Sequence, residues 1–316
     1  MADLSDKPKP AAALERILSN IQRLRPLPSN VNHVLRVLDD PRSTAGIVAD
    51  LLSLDQALTA FILRAANSVS LGYASSCSSL DIAVMRLGFK QVRALVLSTV
   101  AAGPLTRRLE GYRLGNGELW QHSLITAYLS RWLAQAVYYP VPEEAYVAGL
   151  LHDMGKLLLD QFVVADYNTI LELMSEQKMH LWQVEEHLFG MDHAAVGGSM
   201  ATQWGFPAAL VRAIHYHHAP SLAYDWQELA AIVNIANALY PAGVLPPPGV
   251  LNPPGALNQP GSIRLSCLEE RVIHPEALRI LKLSPNTVDK MQPTMLEALS
   301  GSEMFQPPSN STDLLR

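Results

Sequence analysis

Apolar residues in this chain of 316 return at every third or fourth position and almost nowhere at every second. That spacing gathers them on one stripe of an α-helix and denies a strand its alternating faces. In AAALERILSNIQRLR, Leu14, Ile17, Leu18, Ile21 and Leu24 share one face. Pro26 and Pro28 end that helix, and Ser29 can cap the next, NVNHVLRVLDD. STAGIVADLLSLD opens on capping hydroxyls, and LDIAVMRLGFKQVRALVLSTVAAGPL reads as a helix pair hinged near Gly88. A second helical block starts near GELWQHSLITAYLSRWLAQAV and runs to DWQELAAIVNIANALY. The expectation is an all-α fold, one helical bundle packed on another, with a Pro-rich C-terminal extension.

The expected organisation follows from the breaks in this pattern. Residues 1–11 form a disordered N-terminus and 12–110 a first helical lobe. Residues 111–240 form a second helical lobe, 241–262 a Pro/Gly-rich linker, and 263–316 short helices and a tail. Hydrophobic residues make up 49% and charged residues 17%, enough apolar surface for a substantial core. The formal net charge of -5 argues against a nucleic-acid footprint, which needs a basic face. Arg86, Lys90 and Arg93 lie in a helix-Gly-helix pattern that could mimic a DNA-binding motif, but that segment is mostly apolar and reads as a core helix pair. Two cysteines, Cys77 and Cys267, make neither a disulfide framework nor a thiolate metal cluster, so a reducing compartment is expected. A polar N-terminus and short apolar runs predict no membrane span and a cytoplasmic protein.

One stretch conflicts with its own surroundings. AGLLHDMGKLLLD, residues 148–160, is mostly apolar yet carries His152, Asp153 and Lys156. Read as a helix, it sets Lys156 three residues from Asp153 and four from His152, on one face. A surface network of paired charges would explain those residues. So would a pocket, in which an imidazole and a carboxylate lean toward a divalent cation; burial of Asp153 without a partner would be costly.

Eight of the ten histidines fall between residues 122 and 218, and histidine is the commonest metal ligand. His122 lies in LWQHSLITAYL, where a satisfied core histidine is the competing explanation. Asp192 suits an N-cap for the helix that His193 opens. His215, His217 and His218 end VRAIHYHHAP, where a last-turn histidine can simply favour the helix dipole. His33, His180, His187 and His274 carry no partner pattern and read as structural or surface residues.

The ordered set of His122, HD at 152–153 with Lys156, His193 and HH at 217–218 resembles the HD superfamily of metal-dependent phosphohydrolases. HDMGK is similar to the HD-GYP branch, which hydrolyses cyclic dinucleotides. The first block, with RLRPLPSNVNHVLRVLDD, LLSLDQALTAFILRAANSVSLG and SSLDIAVMRLGFKQVRALVLS, resembles the HDOD domain, the HD-related output domain of bacterial signalling proteins. The resemblance covers about residues 15–240. It implies an HD-type bundle for the second lobe and metal ligation by His122, His152 and Asp153. It implies a second metal position at His193, His217 and His218, with Lys156 steadying a phosphate. It also sets Asn237 where the superfamily has a last, acidic ligand, and APSLAYDW follows YHH in place of a GYP motif. HDOD domains as a group often lack ligands and have no generally established catalysis.

Two functions follow. The first is a bacterial signalling or regulatory protein, non-catalytic or weakly catalytic, acting on partner signalling proteins. The second is a phosphodiesterase acting on a cyclic dinucleotide or other nucleotide, with Lys156 and Asp153 in the catalytic roles. Two divalent ions would then activate water for attack on phosphorus, and Lys156 would add electrostatic stabilisation. A ligand set rich in imidazole and poor in carboxylate suits iron, manganese, nickel or zinc rather than magnesium or calcium. The expectation covers two ions, one, or none.

Overall fold

The computed structural model describes residues 10–67, 76–239 and 272–300. Among them the regular structure is helical throughout; the β contact seen is an isolated bridge between Leu109 and Leu114. The all-α expectation holds. The expected linker at 241–262 and most of the N-terminus and tail lie outside the described residues.

The chain divides into two compact units. Helix α1 (Pro10–Gln22) opens one of them. The other contains α2 (Ser29–Asp39), α3 (Ala45–Ser53), α4 (Gln56–Ala66) and α5 (Leu80–Leu105) as far as residue 104. Here α2 packs on α3 and α3 on α4. Val31, Val34, Val48, Leu52, Leu58, Ile62, Val84 and Val92 are buried, the residues that helical spacing puts on inner faces. Thr44 caps α3 by accepting from the Ile47 amide at 3.4 Å. Ser29 does not cap α2: it is the first helical residue, behind Pro28 with its fixed φ. Gly88, at φ 76°, hinges α5 as its position predicts. With Val92, Leu95 and Val96 buried, this segment is a core helix pair, and Arg93 is paired with Asp39. Asn67 clasps Cys77, donating to its carbonyl at 2.8 Å and accepting from its amide at 2.7 Å.

The second unit takes α1 and resumes at Leu105. It holds α6 (Glu118–Ala136), α7 (Pro142–Leu151), α8 (Lys156–Glu176), α9 (Leu181–Phe189), α10 (His193–Gln203) and α11 (Ala208–His215). A 3-10 turn (Pro220–Trp226), α12 (Gln227–Ala238) and α13 (Pro275–Ile280) complete it, and α14 (Pro285–Ser300) ends the described chain. Pro142 starts α7 with Glu143 and Glu144 in its first turn, favourable against the helix dipole. Gly190, at φ 77°, stops α9. Asp192 caps α10 by accepting from the Ala195 amide at 2.6 Å.

Helix α1 was read from its place in the sequence as part of the first lobe. Its buried stripe of Ala13, Ile17 and Ile21 packs instead with α8, α9 and α10. An amphipathic stripe says that a helix must be covered, not by which neighbour. Helices α6 and α7 pack on each other, and α11 and α12 on both α7 and one another. The ends of these elements converge on the conflicted stretch at 148–160.

Candidate metal centre

AGLLHDMGKLLLD is not one helix. Helix α7 ends at Leu151, residues 152–155 make a tight turn, and α8 begins at Lys156. The change is in hydrogen bonding: Met154 N bonds Leu151 O, and Lys156 N bonds Asp153 O, each three residues back. Gly155 allows the break to be covered. A Cβ there would stand 2.0 Å from the carbonyl oxygen of His193 and 2.7 Å from the amide of Gly197. The first turn of α10 therefore lies directly on the turn, bringing His193 to Asp153.

Four segments meet at this point: α6 with His122, the turn with His152 and Asp153, the start of α10 with His193, and the end of α11 with His217 and His218. His122 Nε2 lies 3.2 Å from His152 Nε2 and 3.2 Å from Asp153 Oδ2. His152 Nε2 is 3.4 Å from the same oxygen. Lys156 Nζ donates to that oxygen at 2.9 Å. The other carboxylate oxygen, Oδ1, faces His193 Nε2 at 3.2 Å. His193 Nε2 in turn meets His218 Nε2 at 2.9 Å. The donor atoms of His122, His152 and Asp153 form one group and those of His193, His217 and His218 another, each within 4.8 Å. The carboxylate of Asp153 turns one oxygen to each.

The rings are oriented from behind. His152 Nδ1 is bound to the carbonyl of Gly149 at 2.7 Å and His217 Nδ1 to that of Ile214 at 2.8 Å. A carbonyl only accepts, so both Nδ1 atoms carry hydrogen and each Nε2 of a neutral ring presents a lone pair inward. Asn234 of α12 donates to the carbonyl of His217 at 2.8 Å and accepts from the amide of His274 at 2.9 Å, fixing the loop that carries the HH pair.

His193 has a carboxylate instead. Glu185 Oε2 accepts from the His193 backbone amide at 2.8 Å and from its Nδ1 at 2.6 Å. Glu185 Oε1 accepts from the Tyr112 hydroxyl at 2.7 Å. Glu185, fully buried, escaped the sequence reading. The signal was present: in LWQVEEHLF it stands four residues from both Leu181 and Phe189, on the stripe that has to be buried.

The electrostatics follow from burial and neighbours. Burial alone would raise the pKa of Asp153, but His152 and Lys156 reverse that and hold it well below the usual carboxylate range. Burial lowers His122. Burial, then neighbouring imidazoles, take His217 and His218 well below the usual value. Burial would lower His193 too, but Glu185 outweighs it and carries it up to about 10.

The donor atoms test whether a cation fits. His217 Nε2 is buried without a hydrogen-bond partner, and Asp153 Oδ1 has the His193 Nε2 contact at 3.2 Å. Leaving an acceptor such as His217 Nε2 bare costs on the order of 1–3 kcal/mol. The facing Nε2 atoms at 3.2 and 2.9 Å either share one proton per pair or turn lone pairs to each other, according to the tautomers of His122 and His218. A divalent ion in each group would take up these lone pairs with the donors present. His122, His152 and Asp153 could hold one, and His193, His217 and His218 the other.

Asn237, expected as the residue at the acidic ligand's place, is half-buried in α12. The asparagine seen holding the site's loop is Asn234, about one turn earlier. His215 ends α11 against Tyr216, with its ring on Gly198. Asn67 is a structural clasp.

Comparison with known proteins agrees with this architecture. A crystal structure of an HDOD domain protein of unknown function from Geobacter sulfurreducens matches with a TM-score of 0.66 and 26% identity, over 93% of this chain and 97% of that one. A candidate phosphohydrolase from Shewanella amazonensis SB2B matches in fold, with a TM-score of 0.59 and 24% identity over 91% and 88% of the two chains. An uncharacterized protein of Treponema pallidum (strain Nichols) is 25% identical over 223 residues, 70% of this chain. The match takes in 43% of that relative's length. Among the described residues, no helix is long and apolar enough to cross a membrane. The HDOD domain model matches residues 24–220, well over half of the sequence, and the chain belongs to the HDOD domain family.

Proposed function

We propose that this chain is a cytoplasmic, bacterial signalling or regulatory protein whose HD-like pocket takes divalent transition metal ions and has little or no turnover. The position of Asp153 carries the reading. Its carboxylate stands buried between two imidazole groups, one oxygen to each. His122, His152 and Asp153 would hold one ion. His193, His217 and His218 would hold the other. The donor set favours iron, manganese, nickel or zinc.

Asn237 in place of an acidic ligand, and the absence of a GYP motif after YHH, support regulation over turnover. His152, Asp153, Lys156, His193 and His217 are each at most 3% exposed, while His122 and His218 are half-buried. Binding would join four segments and stabilise the surface offered to partner signalling proteins, with or without a nucleotide ligand.

The runner-up is a phosphohydrolase, favoured by both imidazole groups together with Lys156 on the Asp153 carboxylate. Bound ions would supply Lewis acidity and an activated water for phosphoryl hydrolysis. Lys156 would hold Asp153 ionised and aimed; the imidazoles would keep their lone pairs inward.

Elemental mass spectrometry of the purified protein tests the binding. Near-stoichiometric transition metal, absent from an Asp153→Ala variant, is the expected result; a folded wild type free of metal after reconstitution overturns it. A phosphodiesterase assay separates the two functions, with Asn237→Asp adding the missing negative charge. Robust wild-type turnover of a cyclic dinucleotide would make the second reading the correct one.

A further inference from the structure

His152 and His217 rest on backbone carbonyls, whereas His193 rests on a charged side chain, that of Glu185. That side chain is tethered in turn. Its second oxygen takes the hydroxyl of Tyr112, 1% exposed, in the turn closed by the Leu109–Leu114 bridge. Asp160 of α8 pins the turn through the amides of Glu110 at 3.2 Å and Gly111 at 2.8 Å. A Cβ at Gly111 would stand 2.4 Å from the Asp160 carbonyl, so the turn sits directly on α8. The turn belongs to the stretch that follows α5, immediately after the chain enters the second unit at Leu105.

We infer that Glu185 is the positioning carboxylate of the His193 ion position, and that Tyr112 couples occupancy of that position to the 109–114 turn. The inference rests on the metal reading above and adds a regulation to it. A carboxylate behind a ligating imidazole fixes its tautomer and raises its basicity. Glu185 therefore separates the two ion positions in affinity: the His193 position depends on it, the His122 position does not. Coupling is reciprocal. An ion that draws His193 inward tightens the Glu185–Tyr112 bond and steadies the turn; a partner that moves the turn loosens the ion.

The test uses the full chain, stripped of metal and titrated with Co²⁺ by absorbance, with amide hydrogen exchange read at 109–114. Wild type should take two equivalents. Glu185→Gln should lose affinity at one position by about 10- to 100-fold and leave the other unchanged. Tyr112→Phe should lose less than about tenfold at the same position. Exchange at 109–114 should slow as that position fills in wild type and stay unchanged in Tyr112→Phe. If circular dichroism shows Glu185→Gln unfolded, Tyr112→Phe, which removes one oxygen, carries the test. Two unchanged affinities in the folded variants overturn the inference and leave the metal reading standing. So does wild-type exchange at 109–114 that ignores the ion. A wild type that takes up no ion overturns both.

Discussion

The two units solve the problem of burial differently. In the unit around α2 to α5 the buried side chains described are apolar almost throughout, from Val31 to Leu97, with Ser98 the buried polar residue. Ser98 hands its hydroxyl to the carbonyl one turn back, at Ala94. The other unit buries His152, Asp153, Lys156, Glu185, His193, His217 and Asn234. The first is accounted for by removing apolar area from water, worth about 25 cal/mol per Å². The second cannot be. Burying charge is unfavourable unless it is paired and bonded, and here a carboxylate, an amine and four imidazoles crowd one another.

Variants can break this contrast. The largest effect is expected from Asp153→Ala, which removes the group both imidazole clusters share and leaves Lys156 buried beside an empty space. Breaking such a pair costs about 3–5 kcal/mol. Denaturant unfolding should show that loss, and elemental analysis should show metal falling below one equivalent. Leu52→Ala, in the fully buried centre of the apolar unit, should cost about 2–5 kcal/mol through the cavity it leaves. Its metal content should match wild type; metal lost along with stability would mean that the contrast between the units is false.

The pH dependence sharpens the comparison further. Without metal, His193 is protonated up to about pH 10 because Glu185 outweighs the cost of burial. A pKa raised on folding contributes stability that is complete below the unfolded value and lost as pH rises through the folded one. Asp153, held low, contributes above its unfolded value and loses that only as pH falls well below the carboxylate range. A bound ion needs the His193 lone pair, so metal stabilisation runs the other way and grows with pH. The Tm difference between metal-loaded and metal-free protein should widen from about pH 6 to about pH 9. A difference that narrows would remove His193 from the ligand set. The smallest effect is expected from Asn67→Ala. It gives up two bonds to Cys77, about 1–3 kcal/mol, and thermal unfolding should register it with metal uptake unchanged.

Much of this was legible in advance, for reasons that differ by residue. The helices follow from spacing, because a stripe at three and four is a local property. His152, Asp153 and Lys156 stood out because polar groups in an apolar run demand partners; His122, His193, His217 and His218 joined them as candidates through the resemblance to the HD superfamily. Glu185 went unread because one charged residue on a buried stripe is indistinguishable, without its neighbours, from a charge at the edge of an exposed face. The turn at 152–155 went unread because His152 and Gly155 at its two ends keep helical dihedrals and the change lies in hydrogen bonds that reach three residues back.

By itself, then, the order of residues determined that the chain is helical, where most of the helices begin and end, and that His152, Asp153 and Lys156 sit in an apolar run. These depend on interactions within a few residues along the chain. Tertiary structure alone decided that α1 joins the second unit, that α10 lies on Gly155, and that Asp153 divides its oxygens between two imidazole groups with Glu185 behind one of them. Those outcomes join residues eight or more positions apart. They are set by which apolar faces cover one another, and that choice belongs to the folded whole.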